Sequence, residues 1–214
     1  MYRRSGRCLG TVALAGAAVL ATGQPAVAQP APAGESETVH ADVDGDGAAN
    51  AVTVRKVDDT TQVISFALPG ESVMTTAPAE YAVLQTPRAT DVDRDGVAEV
   101  AVTVAAGANT QTFQLFKYDP EAGVVAIRRG GEPFTLHEGG GATARSGYQC
   151  EDTGKGWMLR TVDARYDDVT AKFDGTSSWF VFHGNSTSRW TRAPFSDVPA
   201  DDPRLNLDPT TCAP

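Results

Sequence analysis

The sequence predicts an all-β protein, and three observations carry that prediction. From residue 51 onward, alternating or β-branched runs are separated by turn formers, and no segment of ten or more residues shows a helical period. Two acidic runs, Asp42-Val-Asp-Gly-Asp-Gly47 and Asp91-Val-Asp-Arg-Asp-Gly96, each lead into such a run. They lie 49 residues apart, and their sequels match when Asp42 is laid over Asp91. Ala51–Val54 then falls over Val100–Val104 within one residue, and Thr61–Phe66 near Thr110–Leu115.

The elements follow in order. Arg3, Arg4 and Arg7 form a basic start, Leu9–Thr22 is apolar, and Ala26-Val27-Ala28 is a small-residue cleavage site. Residues 1–28 therefore read as a signal peptide cleaved after Ala28, and the protein as secreted. The apolar stretch is shorter than the roughly 20 residues a membrane helix needs, so no transmembrane segment is expected in the mature chain. Residues 29–38, rich in Pro, Ala, Gly, Ser and Glu, read as a flexible leader.

The predicted strands are Ala51–Val57, Thr61–Leu68, Tyr81–Arg88, Val100–Ala105, Thr110–Tyr118 and Gly123–Arg128, then Trp157–Val162, Val169–Phe173 and Ser178–His183. Turns are expected at Asp58-Asp59, Pro69-Gly70, Asp119-Pro120 and Asp174-Gly175. A third, degenerate copy begins near Gly147-Tyr-Gln-Cys150, where Glu151–Gly156 replaces the acidic loop and Trp157–Val162 is its strand. The β-repeat domain is thus placed at residues 39–192, with repeats at about 39–80, 81–130 and 138–192, followed by a C-terminal tail at 193–214.

Charge and cysteines bound the environment. Loss of the three signal arginines takes the formal net charge from −9 to −12, which argues against nucleic acid as a partner. It suits an exported protein that collects divalent cations. Cys150 and Cys212 are the only cysteines after cleavage, and in an oxidising compartment they read as one disulfide tying the tail to the last repeat. In the chain-entropy picture a loop of about 60 residues contributes about 4 kcal/mol. That covalent staple takes the place of a metal staple in the third repeat.

The acidic loops space carboxylates at positions 1, 3 and 5, the arrangement that gathers oxygen ligands around a hard cation. An EF-hand would need a bidentate Glu at position 12 and flanking helices, but Thr53 and Val102 stand there and strands follow. The remaining form is a loop closed by its ninth residue, Asn50 or Glu99, at the entry to a strand.

This pattern resembles the FG-GAP/VCBS repeat family, the blade units of integrin-type β-propellers, well over about residues 39–130 and by extension over 147–192. The resemblance implies calcium held by side chains at positions 1, 3, 5 and 9 and a backbone carbonyl at position 7. The first site would use Asp42, Asp44, Asp46 and Asn50 with the carbonyl of Ala48. The second would use Asp91, Asp93, Asp95 and Glu99 with the carbonyl of Val97. The family usually has Asp at position 9, so the neutral Asn50 predicts the weaker site and the longer Glu99 a shifted geometry. Two structural Ca2+ ions are expected, with affinities of roughly 10⁻⁴–10⁻³ M. Three blade-like antiparallel repeats form a partial β-propeller, a sandwich-like array, or a ring completed by another copy.

No catalytic constellation stands out. His40, His137 and His183 have no zinc-ligand spacing, Gly139–Gly141 lacks the lysine of a phosphate loop, and no serine sits in a Gly-x-Ser-x-Gly elbow. The chain therefore reads as a non-enzymatic binding or interaction module for an extracellular or cell-envelope protein or glycan. The alternative is an exported hydrolase or inhibitor built around Trp157, Trp179, Trp190 and Glu138. Position separates the two: Trp179, Trp190 and Glu138 around one open cleft favours the second, and burial of both tryptophans the first.

Overall fold

The computed structural model describes residues 34–81 and 83–214, so the signal-peptide reading and the first half of the leader lie outside the described residues. The described chain is all-β, with antiparallel sheets, two short 3-10 turns near the C-terminus and no α-helix. Its strands close neither a barrel nor a propeller ring.

Strands β1 (Ser36–Ala41), β2 (Asn50–Lys56), β3 (Thr61–Leu68) and β4 (Glu71–Pro78) form one antiparallel meander in sequence order. Strands β5 (Arg88–Thr90), β6 (Glu99–Ala106), β7 (Thr110–Asp119) and β8 (Gly123–Ala126) repeat that order. A small hairpin, β9 (Arg128–Arg129) and β10 (Glu132–Pro133), leads to β11 (Thr135–Gly139), which pairs with the first half of β7 while β8 pairs with the second. A third meander follows in β12 (Ala144–Asp152), β13 (Trp157–Asp167), β14 (Lys172–His183) and β15 (Ser186–Val198).

Alternation along the strands decides the layering. Val52, Val54, Ile64 and Phe66 of the first meander pack on Val100, Val102, Val104 and Phe116 of the second. The other face of the second meander, with Ala101, Phe113 and Leu115, packs on Leu159, Phe180 and Cys150 of the third. Covered on both sides, β6 is buried along six consecutive residues, which is why it reads as a nearly continuous apolar run. The far face of the third meander, with Val162, Phe173 and Phe195, is covered by Leu205 and Leu207 of the tail.

Several elements differ from the sequence expectation. Ser36 already opens β1, inside the stretch read as leader, and β15 runs to Val198, inside the stretch read as tail. Residues 81 and 83–87 lie in no strand, and the apolar side chains there serve as plugs: Tyr81 and Leu84 are buried. The Tyr81 hydroxyl donates to Gln62 Oε1 at 2.5 Å, while Gln62 Nε2 donates to the carbonyls of Pro78 and Thr103. Val169 is exposed on a turn held by the Asp167 carboxylate, so no strand begins there. Asp174-Gly175 lies inside β14 instead of turning. A Cβ on Gly175 would come within 2.6 Å of Ala164 Cβ, the Asp163 carbonyl and Phe195, so that glycine marks close approach of neighbouring strands.

Candidate metal centres and their surroundings

Each acidic loop spans the gap between the first two strands of a meander: β1 to β2 and β5 to β6. The two loops are built alike. Glycine at position 6, Gly47 or Gly96, has φ of 87° in both, and position 4, Gly45 or Arg94, is also left-handed at φ 76° and 58°. Position 1 caps the turn with both carboxylate oxygens. Asp42 accepts from the Gly45 and Gly47 N–H groups, and Asp91 from those of Asp95 and Gly96. Position 5 accepts from position 7 in both: Asp46 from Ala48 N–H and Asp95 from Val97 N–H. Position 9 folds back to accept from position 2, Asn50 Oδ1 from Val43 N–H at 3.2 Å and Glu99 Oε2 from Val92 N–H at 3.1 Å.

These turns gather oxygen atoms. Asp42, Asp44 and Asp46 each bring a carboxylate oxygen within 4.8 Å of the other two, and so do Asp91, Asp93 and Glu99. Asp95 stands outside the second group and is exposed, whereas its counterpart Asp46 joins the first. Asn50 is buried beside the first group.

Position 3 is the informative one. Asp44 Oδ1 and Asp93 Oδ1 are buried and have no hydrogen-bond partner. A buried carboxylate oxygen without a donor is costly, and the same atom is orphaned in both loops. A cation held by the surrounding oxygens would satisfy both. The donor set is oxygen alone, with no histidine or cysteine in either group, which matches a hard cation such as calcium.

Electrostatics separates the two centres. Burial pushes the Glu99 carboxyl up to about 8, and the Asp93 carboxylate adds to the rise. Asp93 is itself raised, by burial first and then by the Asp95 charge. Lys117 Nζ on β7 lies 3.6 Å from Glu99 Oε1. No local pattern marks this lysine, because it arrives from the neighbouring strand: with Val100 opposite Phe116, Glu99 faces Lys117. One register step beyond the Ala51–Ala67 pair, Leu68 takes the same place beside Asn50. An ionisable pair at the second centre thus replaces a neutral pair at the first.

The chain matches no protein-family model, and no curated protein or solved structure matches it.

The loops also touch one another. Ala98 N–H in the second loop donates to the Asp42 carbonyl at 2.7 Å, and a Cβ on Gly45 would meet Val97 Cγ2 at 3.0 Å. The Arg94 guanidinium lies 4.5 Å from the ring centre of Trp157, which follows the non-acidic loop at 153–156. The disulfide joins Cys150 to Cys212, with Cα atoms 4.9 Å apart, and the Cys212 carbonyl accepts from Asp91 N–H at 2.7 Å. The covalent staple therefore holds the tail against the first residue of the second loop.

The other singled-out residues are spread out. His40, His137 and His183 are exposed on β1, β11 and β14. Glu138 on β11 pairs with Arg88, and Tyr148 shares that guanidinium. Trp179 and Trp190 do share an open groove, but its carboxylate is Glu151 rather than Glu138. No helix among the described residues is long and apolar enough to cross a membrane.

Proposed function

We propose that this chain is a secreted, calcium-stabilised β-repeat protein that acts as a non-catalytic binding or interaction module. The orphaned, buried oxygen at position 3 of both loops carries the reading. A turn that only joined two strands would have no reason to bury a carboxylate oxygen without a donor, and to do so twice.

In this reading the three meanders are blade-like repeats of the FG-GAP/VCBS kind, stacked face to face as an open array. Calcium closes the first two at Asp42, Asp44, Asp46 and Asn50, and at Asp91, Asp93, Asp95 and Glu99, with the Ala48 and Val97 carbonyls completing each shell. When bound, the ion supplies charge compensation and geometry, not chemistry on a substrate. The residues do the rest: position 1 caps the turn, position 9 fixes position 2, and contacts between loops pass that order to the next repeat. Three carboxylates and a neutral Asn50 make the first centre formally −3, and four carboxylates with Lys117 make the second −3 as well. The two affinities are then closer than carboxylate number alone implies.

Thermal melting of the mature protein in excess calcium and in EDTA tests the proposal. A calcium-dependent rise in Tm is expected by mass action, and equal melting temperatures would overturn it.

A further inference from the structure

Trp190 on β15 is 57% exposed, an unusual setting for the largest side chain in a chain of three tryptophans. The strand places it there by an irregularity. In the β14–β15 ladder Trp179 faces Thr191 and Phe180 faces Arg189, so Trp190 is an extra residue with no partner of its own. Such a bulge re-aims a side chain that regular alternation would send to the other face. Here it brings Trp190 to the groove that Trp179 and Thr191 also line, while Arg189 and Phe180 line a separate cavity.

The groove has a volume of about 430 Å³ and lies between the bulge and the non-acidic loop of the third meander. Met158, nearly fully buried, forms its base, and Lys155 and Thr191 stand at its rim. Trp179 is fixed from behind: its Nε1–H donates to Glu151 Oε1 at 2.6 Å, and the Arg160 guanidinium lies 5.4 Å from its ring centre. Glu151 Oε2 accepts from Gln149 Nε2 at 2.6 Å, with Arg160 at 4.0 Å.

The geometry points to a binding site for the ring of a neutral saccharide, with Trp190 as the stacking platform and Trp179 as the fixed wall. This inference rests on the binding-module reading and names its ligand class. A sugar ring has an apolar face for an indole and a perimeter of hydroxyls for the Lys155 ammonium and the Thr191 hydroxyl, neither of which bonds a described residue through its side chain. Two other occupants fit less well. A cationic ligand needs a free carboxylate, and both Glu151 oxygens already face Trp179, Gln149 and Arg160. An added peptide strand needs a regular edge; β15 has no outer neighbour beyond Ser186 among the described residues, but the bulge interrupts it.

The test is a tryptophan-fluorescence titration of the mature, calcium-loaded protein with cellohexaose, chitohexaose and mannohexaose, each alone. Saturable binding of at least one is expected. Trp190→Ala should weaken it at least tenfold at unchanged Tm, and Arg192→Ala, on the same edge strand, should bind as the wild type does. No binding of any of the three, or full binding by Trp190→Ala, overturns the inference. Concentration-dependent dimerisation lost in Trp190→Ala would also overturn it, by showing a second copy in the groove. The calcium-induced Tm shift, read on the same samples, separates the two readings. If the shift persists without saccharide binding, only this inference falls; if saccharide binds without the shift, only the calcium reading falls.

Discussion

Replacing Glu99 by Gln keeps the acceptor for Val92 N–H and removes the one carboxyl that burial holds far above its ordinary range. In the metal-free protein that carboxyl titrates at about 8, against an ordinary value of 4.5. Below pH 4.5 it is protonated in both folded and unfolded chains and contributes no pH dependence. Between pH 4.5 and 8 the unfolded chain ionises it while the fold keeps it protonated, so stability falls as pH rises through that window. At 1.36 kcal/mol for each pH unit, the loss reaches about 3 kcal/mol by pH 7. The side chain is 1% exposed, so solvent does not screen this cost away. The assay is urea unfolding in EDTA at pH 5 and pH 7. The wild type should lose about 2.5 kcal/mol more than Glu99→Gln between those conditions. Calcium should abolish the difference in the wild type, because binding displaces the proton and stabilises the carboxylate. Equal pH dependence in the two metal-free proteins would refute the reasoning.

Three further outcomes follow from the packing. The double variant Cys150→Ser, Cys212→Ser should lose about 4 kcal/mol by urea unfolding. It should also weaken calcium at the second loop but not the first, because only Asp91 leans on the Cys212 carbonyl. Gly175→Ala should cost about 2–3 kcal/mol, since its methyl group meets backbone oxygen and a neighbouring Cβ at 2.6 Å; a neutral result in thermal melts would contradict the close approach. Arg94→Gly should change stability by less than about 1 kcal/mol, as relief of the left-handed backbone offsets the lost stack on Trp157. Arg94→Val should destabilise by about 2 kcal/mol in the same assay, because it keeps the strain and adds a β-branch.

The acidic loops and the strands after them were legible because their information is local. Carboxylates at positions 1, 3 and 5 and glycine at 6 act within one turn, and β2, β3, β6 and β7 carry unbroken apolar or β-branched patterns. Other elements were hidden for definite reasons. β1, β4 and β15 are largely exposed, so polar residues fill them and no apolar alternation marks them. Gly175 imitates a turn residue, although it is there because strands crowd it. Tyr81 and Leu84 imitate a strand, although they plug a loop. Within the site, the ninth-position residues could be read from spacing, but Lys117 and the Cys212 carbonyl could not, since strand register and the disulfide bring them in. The pairing of Trp179 with Trp190 was hidden for the same reason: it depends on a bulge that only the ladder reveals.

Calcium titration by calorimetry on the mature protein, repeated with Asp44→Ala and Asp93→Ala, tests the central claim most directly. Two sites in the wild type and one in each variant are predicted, since each substitution removes the orphaned oxygen of one loop. Unchanged stoichiometry in both variants, or no calcium binding by the wild type, would contradict the account.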